Sequence, residues 1–324
     1  MTITKKHMLT LSVVSAIFFL IILGTLAYFF VANRAPILQG KVKHHITFKE
    51  GKSLDLYLPT QDVYEKAPVL FYFHGGAWVV GRKEAINMNR FNGAINQLRQ
   101  QGYCVISPEY TLAKDGQSPF PDCLVDGYDA IHWLEQHAEE YNLDISNVGM
   151  FGESAGAHIA MMLTFAPAEQ FSAKPTPIKF KYLIDVYGPA DMDMLYHGPT
   201  LDTINSYLNK LPSSVQAHLD LSKKLFGFDP KTDSAKAQEF MKLYSPATYL
   251  SSDLPPTLII HGNADRVVPI DQSLQLKKKL DDLGVPNEYH ELNGVDHGFI
   301  KASKSQQQDV QTWLSTFVKN YYSK

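Results

Sequence analysis

Cysteine is scarce in this chain: Cys104 and Cys123 are the two present, too few for a disulfide framework to replace a hydrophobic core, and we read both as free thiols. An excess of one charge is missing too, since 30 Lys and Arg against 33 Asp and Glu leave a formal charge of −3. The densest basic run, Lys277-Lys278-Lys279, is followed by Asp281-Asp282 and reads as a solvated helix face, so no nucleic-acid partner is expected. His, Cys, Asp and Glu do not recur at metal-ligand spacing, and no glycine loop of the phosphate-cradling kind occurs; neither a metal nor a cofactor is expected. Internal repeats and low-complexity tracts are absent as well, which excludes solenoids and biased disordered segments.

Long hydrophobic runs are confined to one place. Lys5-Lys6-His7 precede an uncharged, mainly apolar run from Met8 to Ala32. As a helix this run would extend about 37 Å, enough to cross a hydrocarbon core of about 30 Å. A cleaved signal peptide has a shorter apolar region and small residues before the cut, whereas Phe29-Phe30-Val31 is bulky and no A-x-A site follows. We therefore expect residues 1–34 to be an uncleaved, single-pass transmembrane signal-anchor. Lys5 and Lys6 on one side against Arg34, Lys41 and Lys43 on the other orient it poorly. The short leading end points to a cytoplasmic N-terminus, which would put residues 35–324 outside the cytoplasm at the membrane.

Residues 35–324 are enough for one large core. Apolar runs at Val69–Phe73, Tyr103–Ser107, Val148–Phe151, Tyr182–Tyr187, Thr257–Ile260 and Asn287–Leu292 read as strands, with helix-spaced stretches between them. That alternation predicts an α/β fold, a mostly parallel central sheet covered by helices on both faces. In the last helix Val310, Trp313, Leu314, Phe317, Val318 and Tyr321 share one face, as core packing requires. Residues 190–244 leave the pattern for a stretch rich in helix formers that contains Met192, Leu195, Tyr196, Leu225 and Phe226.

The chemistry-bearing residues sit where these strands end. Val148–Phe151 enters Gly152-Glu153-Ser154-Ala155-Gly156, and a small-residue helix over Ala155–Leu163 follows. A GxSxG turn between strand and helix lifts the serine oxygen clear of the sheet and aims the next amides at one point, making Ser154 the candidate nucleophile. A hydroxyl at neutral pH needs a base held in one tautomer. Among 12 histidines, His297 lies in a glycine-bracketed loop after the last strand, where a side chain can project into a site. The orienting acid belongs at the end of the preceding strand, where Thr257–Ile260 runs into the loop carrying Asp265; Asp296, Glu291 and Asp271 are its rivals. Finally, Val69–Phe73 runs into His74-Gly75-Gly76-Ala77-Trp78, whose glycines let backbone approach a substrate. The amides of Gly75, Gly76 and Ala77, joined by that of Ala155, are the candidate oxyanion-hole donors.

Together these segments resemble the hormone-sensitive-lipase-like and carboxylesterase branch of the α/β-hydrolases, especially bacterial esterases and lipases related to feruloyl and acetylxylan esterases. The resemblance rests on HGGAW at 74–78, Pro119-Phe120-Pro121 with Asp126 downstream, GESAG at 152–156, HGNAD at 261–265 and DHGF at 296–299. It implies the α/β-hydrolase fold, with residues 190–244 as a helical cap insertion over the site. It also implies a catalytic trio of Ser154, Asp265 and His297 that cleaves small-molecule esters of short or medium acyl chain through an acyl-enzyme, without a cofactor. His74 takes a supporting role in this resemblance. Ala77 departs from it, standing where many relatives carry a third glycine, although an amide remains there. Two other readings stay open: a serine peptidase or arylformamidase acting on amides, and a hydrolase fold kept for binding without catalysis. The short stretch between Ala32 and the first strands leaves no room for the propeller of prolyl-peptidase relatives, and non-catalytic relatives often lack a member of the trio.

Overall fold

In the computed structural model, residues 37, 40–87, 91–114, 116–174, 176–198 and 221–322 are described. The expected anchor at Met8 to Ala32 lies outside them, as do residues 199–220 of the expected cap. Among the described residues no helix is long and apolar enough to cross a membrane.

Among the described residues eight strands form one sheet: β1 (Val42–Lys49), β2 (Lys52–Tyr57), β3 (Ala67–Phe73), β4 (Cys104–Pro108), β5 (Leu143–Glu153), β6 (Phe180–Val186), β7 (Thr257–Gly262) and β8 (Asn287–Leu292). Their spatial order is β1-β2-β4-β3-β5-β6-β7-β8, antiparallel at the β1 and β2 edge and parallel from β4 to β8. Strand β3 shows why the sheet must be covered twice. Val69, Phe71 and Phe73 enter one apolar cluster, while Leu70 and Tyr72 enter another on the opposite face. A strand buried on both sides has no polar face to display and reads as a continuous apolar run.

The connections are filled by α1 (Asn92–Gln100), α2 (Asp122–Tyr141), α3 (Ala155–Phe165), α4 (Met192–Tyr196), α5 (Leu221–Phe226), α6 (Ser234–Leu243), α7 (Asp271–Asp282) and α8 (Lys304–Asn320). Ile95 and Leu98 of α1 pack with Val310, Leu314, Phe317 and Val318 of α8 on one face. Residues of α2, α3 and α7, such as Ile131, Ile159 and Leu280, cover the other. Trp313 and Tyr321, expected in the same stripe of α8, are only partly buried at its margin. Lys277 and Lys278 pair with Asp281 and Asp282 one turn on, a solvated face held by i,i+4 ion pairs.

The β1–β2 hairpin is not marked by an apolar run. No residue of strand β1 is fully buried, so no apolar run marks it, and in β2 Leu54 and Leu56 reach one core cluster while Tyr57 reaches the other. Cys104 and Cys123 are both buried and free.

Candidate active site

Sheet register gathers the relevant loops at one end. Phe73 pairs with Gly152, Glu153 with Val186, Val186 with Ile260, and Gly262 with Leu292. The segments that follow β3, β5, β6, β7 and β8 therefore leave the sheet side by side, at the carboxyl ends where α/β sheets bind ligands.

Ser154 occupies the turn between β5 and α3 with φ 53° and ψ −123°, a conformation that costs on the order of 1–3 kcal/mol for a residue with a side chain. Its surroundings enforce it. A Cβ at Gly152 would lie 2.2 Å from the Gly156 carbonyl oxygen, and one at Gly156 would lie 2.1 Å from that of Phe73. Both glycines are needed because backbone meets backbone there. The Ser154 amide donates to Val186 O at 2.9 Å, and Ser154 O receives the amide of His158 at 3.1 Å, which pins the turn from both sides.

His297 Nε2 lies 3.0 Å from Ser154 Oγ, and His297 Nδ1 lies 2.7 Å from Asp265 Oδ2. A carboxylate only accepts, so the ring proton is at Nδ1 and Nε2 is left to accept from the serine hydroxyl. Asp265 Oδ1 in turn receives the amides of Val267 and Val268, each at 2.8 Å. Although burial opposes its ionisation, the hydrogen bonds from His261, His297 and Val268 hold its carboxyl well below the usual carboxylate range.

The rivals of Asp265 have other duties. Asp296 accepts the Arg266 guanidinium through Oδ2 and the amides of Arg266 and His297 through Oδ1, so it clamps the β7 and β8 loops together. Glu291 is exposed and accepts from Asn263 at 2.8 Å. Asp271 opens α7.

The loop after β3 passes close to the serine: a Cβ at Gly75 would lie 3.3 Å from Ser154 Cβ. Gly76 has φ +129°, and a Cβ there would lie 2.0 Å from Val80 O. Val79 and Val80 both donate to Gly76 O at 3.0 Å, whereas no backbone acceptor among the described residues takes the amides of Gly75, Gly76 or Ala77. Ala77 and Trp78 are left-handed, with φ of 52° and 58°. An alanine at the place of a third glycine is thus accommodated at a strain of roughly 1–2 kcal/mol. Ala155 is the first residue of α3, and its amide has no carbonyl one turn back to receive it. His74 is buried, with burial lowering its basicity; its Nδ1 lies 2.8 Å from Gly75 O and its ring stacks on Tyr110. It props this loop from beneath.

Beside Ser154 lies a cavity of about 90 Å³. Ala77 and Trp78 form one side, Leu195, Leu225 and Phe226 of the helices between β6 and β7 another, and Val267 and Val268 a third. Among the described residues no group of His, Cys, Asp or Glu could hold a metal ion.

Two groups at the site carry no sequence signal of their own role. Glu153, inside the GxSxG turn, accepts from Tyr72 at 2.5 Å and Tyr187 at 2.6 Å, and the Tyr187 ring lies 4.7 Å from that of His297. His261 reaches Asp265 from within the sheet; its membership of HGNAD was visible, but not its partner.

The profile of the BD-FAE family matches residues 54–280, well over half of the chain. The chain belongs to the BD-FAE family. This places it in the esterase branch of the α/β-hydrolases. Curated relatives of this BD-FAE chain include the probable carboxylic ester hydrolase LipM of Mycobacterium tuberculosis, 25% identical over 78% of this chain and 54% of LipM. An esterase of Gibberella moniliformis is 28% identical over 77% of this chain and 74% of its own length. The chain thus spans about half to three quarters of these relatives. Its fold is shared with a truncated carbohydrate esterase from gut microbiota, at TM-score 0.66 and 22% identity over 88% and 99% of the two chains. It is shared too with a propionate-bound esterase from Thermogutta terrifontis, at TM-score 0.62 and 20% identity over 86% and 93%.

Proposed function

We propose that this BD-FAE chain is a membrane-anchored serine hydrolase that cleaves carboxylic esters of short or medium acyl chain through an acyl-enzyme. The observation that carries the reading is the hydrogen-bonded chain from Ser154 through His297 to Asp265, opening onto an apolar cavity. Ser154 Oγ attacks the ester carbonyl as His297 Nε2 takes its proton, and Asp265 stabilises the imidazolium that forms. The amides of Gly75, Gly76, Ala77 and Ala155 face the developing oxyanion; such donors contribute about 3 kcal/mol each when well placed. The imidazolium returns the proton to the departing alkoxide, and water, activated by the same histidine, cleaves the acyl-serine.

Among the described residues the polar side-chain groups on the cavity wall are the hydroxyls of Ser154, Tyr196 and Ser222 and the indole N–H of Trp78, set in an otherwise apolar lining, which favours an aliphatic acyl group over one with several hydroxyls of its own. Residues 190–244 serve as the cap that closes this wall. Residues 1–34 serve as the anchor and residues 35–324 as an extracytoplasmic catalytic domain.

The decisive comparison is p-nitrophenyl ester turnover by the chain and by Ser154→Ala, with fluorophosphonate labelling alongside. Equal rates, or an unlabelled parent, would remove the acyl-enzyme. Aminoacyl amides belong in the same panel, since faster amide cleavage would shift the reading to a peptidase. Recovery of the full chain in the membrane fraction, and of a form starting near residue 36 in the soluble fraction, tests the anchor.

A further inference from the structure

His261, in β7, is fully buried and does not line the cavity, yet it touches the orienting acid. Its Nε2 faces two acceptors, Val268 O at 2.9 Å and Asp265 Oδ2 at 3.2 Å, so the ring proton sits on that nitrogen. Its Nδ1 lies 2.7 Å from the buried Ser273 Oγ, which anchors the ring on that side. Asp185, on neighbouring β6, lies within electrostatic reach of this ring. Burial pushes Asp185 up to about 7.

The oxygen that His261 reaches is the same one that receives His297 Nδ1–H. Two imidazoles therefore bracket Asp265 Oδ2 while two amides hold Oδ1. We propose that His261 is a positioning residue for ester cleavage: its Nε2–H, in the tautomer that its two acceptors require and with the ring anchored at Nδ1 by Ser273, holds the Asp265 carboxylate at the rotation in which Oδ2 meets the base. This rests on the roles given above to Ser154, His297 and Asp265.

Ser273 anchors the ring rather than choosing its tautomer, since its hydroxyl can donate to or accept from Nδ1; the opposite tautomer shows what the Nε2–H contributes. With the proton on Nδ1, a lone pair at Nε2 faces Val268 O and Asp265 Oδ2, and the repelled carboxylate swings away from His297. Misplacement of about 1 Å in such a constellation costs about 10²-fold in rate.

The test compares the parent with His261→Ala, His261→Gln, Ser273→Ala and Ser154→Ala on p-nitrophenyl butyrate, across about pH 5 to 9, with thermal melts of each. Glutamine can set an amide N–H where Nε2–H stands. His261→Ala and Ser273→Ala are expected to lose about ten- to hundredfold in kcat with KM within about twofold, and to displace the acid limb of the pH profile, while His261→Gln regains most of the rate. Parental kcat and pH profile in Ser273→Ala and in a folded His261→Ala would overturn the proposal, and so would equal losses in the alanine and glutamine variants, leaving the serine, base and acid as assigned. Should His261→Ala not fold, Ser273→Ala and His261→Gln decide alone. A parent no faster than Ser154→Ala would remove the underlying assignment as well.

Discussion

Replacing Asp265 by asparagine changes little in shape and much in proton placement. The carboxylate accepts four N–H groups: the Val267 and Val268 amides at Oδ1, and the rings of His297 and His261 at Oδ2. A carboxamide keeps one acceptor oxygen. Facing the two amides, that oxygen stays at the Oδ1 position, so the new NH2 meets His297 Nδ1–H at the former 2.7 Å contact, donor against donor. The imidazole relieves this by moving its proton to Nε2, the nitrogen 3.0 Å from Ser154 Oγ, where it can no longer accept the serine's proton. A wrong tautomer in a Ser-His-Asp site costs about 10⁴ in kcat, or about 5 kcal/mol of transition-state stabilisation. Because Asp265 is buried behind the histidine, KM should scarcely change. The assay is kcat for p-nitrophenyl butyrate, with the melting temperature as a check on folding. Less than tenfold loss in a folded Asp265→Asn protein would refute the tautomer argument. Stability carries its own signature. The folded-state pKa of Asp265 is depressed, so its stabilisation is present above the ordinary carboxylate range and lost on acidification below it, a loss the variant should not show.

Burial lowers His158 from the usual 6.5 to about 4, so on acidification the unfolded chain protonates first; stability present above pH 6.5 should fall by roughly 3 kcal/mol towards pH 4. His158→Gln keeps a donor for Tyr244 O, and identical acid-induced declines in parent and variant melting temperatures would sink that account. Gly156→Ala pushes a Cβ to 2.1 Å from Phe73 O and 2.5 Å from His74 O. It should cost more than about 4 kcal/mol in a denaturant titration. Gly40→Ala, with nothing within 4 Å, serves as the neutral control. Phe226→Ala removes a buried wall of the cavity and should raise the octanoate-to-acetate ratio of kcat/KM by about tenfold or more; an unchanged ratio would detach that wall from the acyl group.

What the chain's own order of residues determined was local. Strands β3, β4, β6 and β7 announce themselves because near-total burial leaves them no polar face, and GESAG marks a strand-to-helix turn because Gly152 and Gly156 tolerate contacts that exclude a Cβ. Strand β1 is silent for the converse reason, since an exposed edge strand needs no apolar run. Choices among equals were left to the tertiary structure. Asp296 adjoins His297 along the chain and Asp265 follows the preceding strand, and only the packing of the β7 loop against the β8 loop gives the second carboxylate to the imidazole and the first to Arg266. His261 and Tyr187 likewise gain their roles from neighbours on adjacent strands. Backbone pattern is encoded over a few residues, whereas the partner of a side chain across the sheet depends on register and burial, which no short stretch of sequence contains.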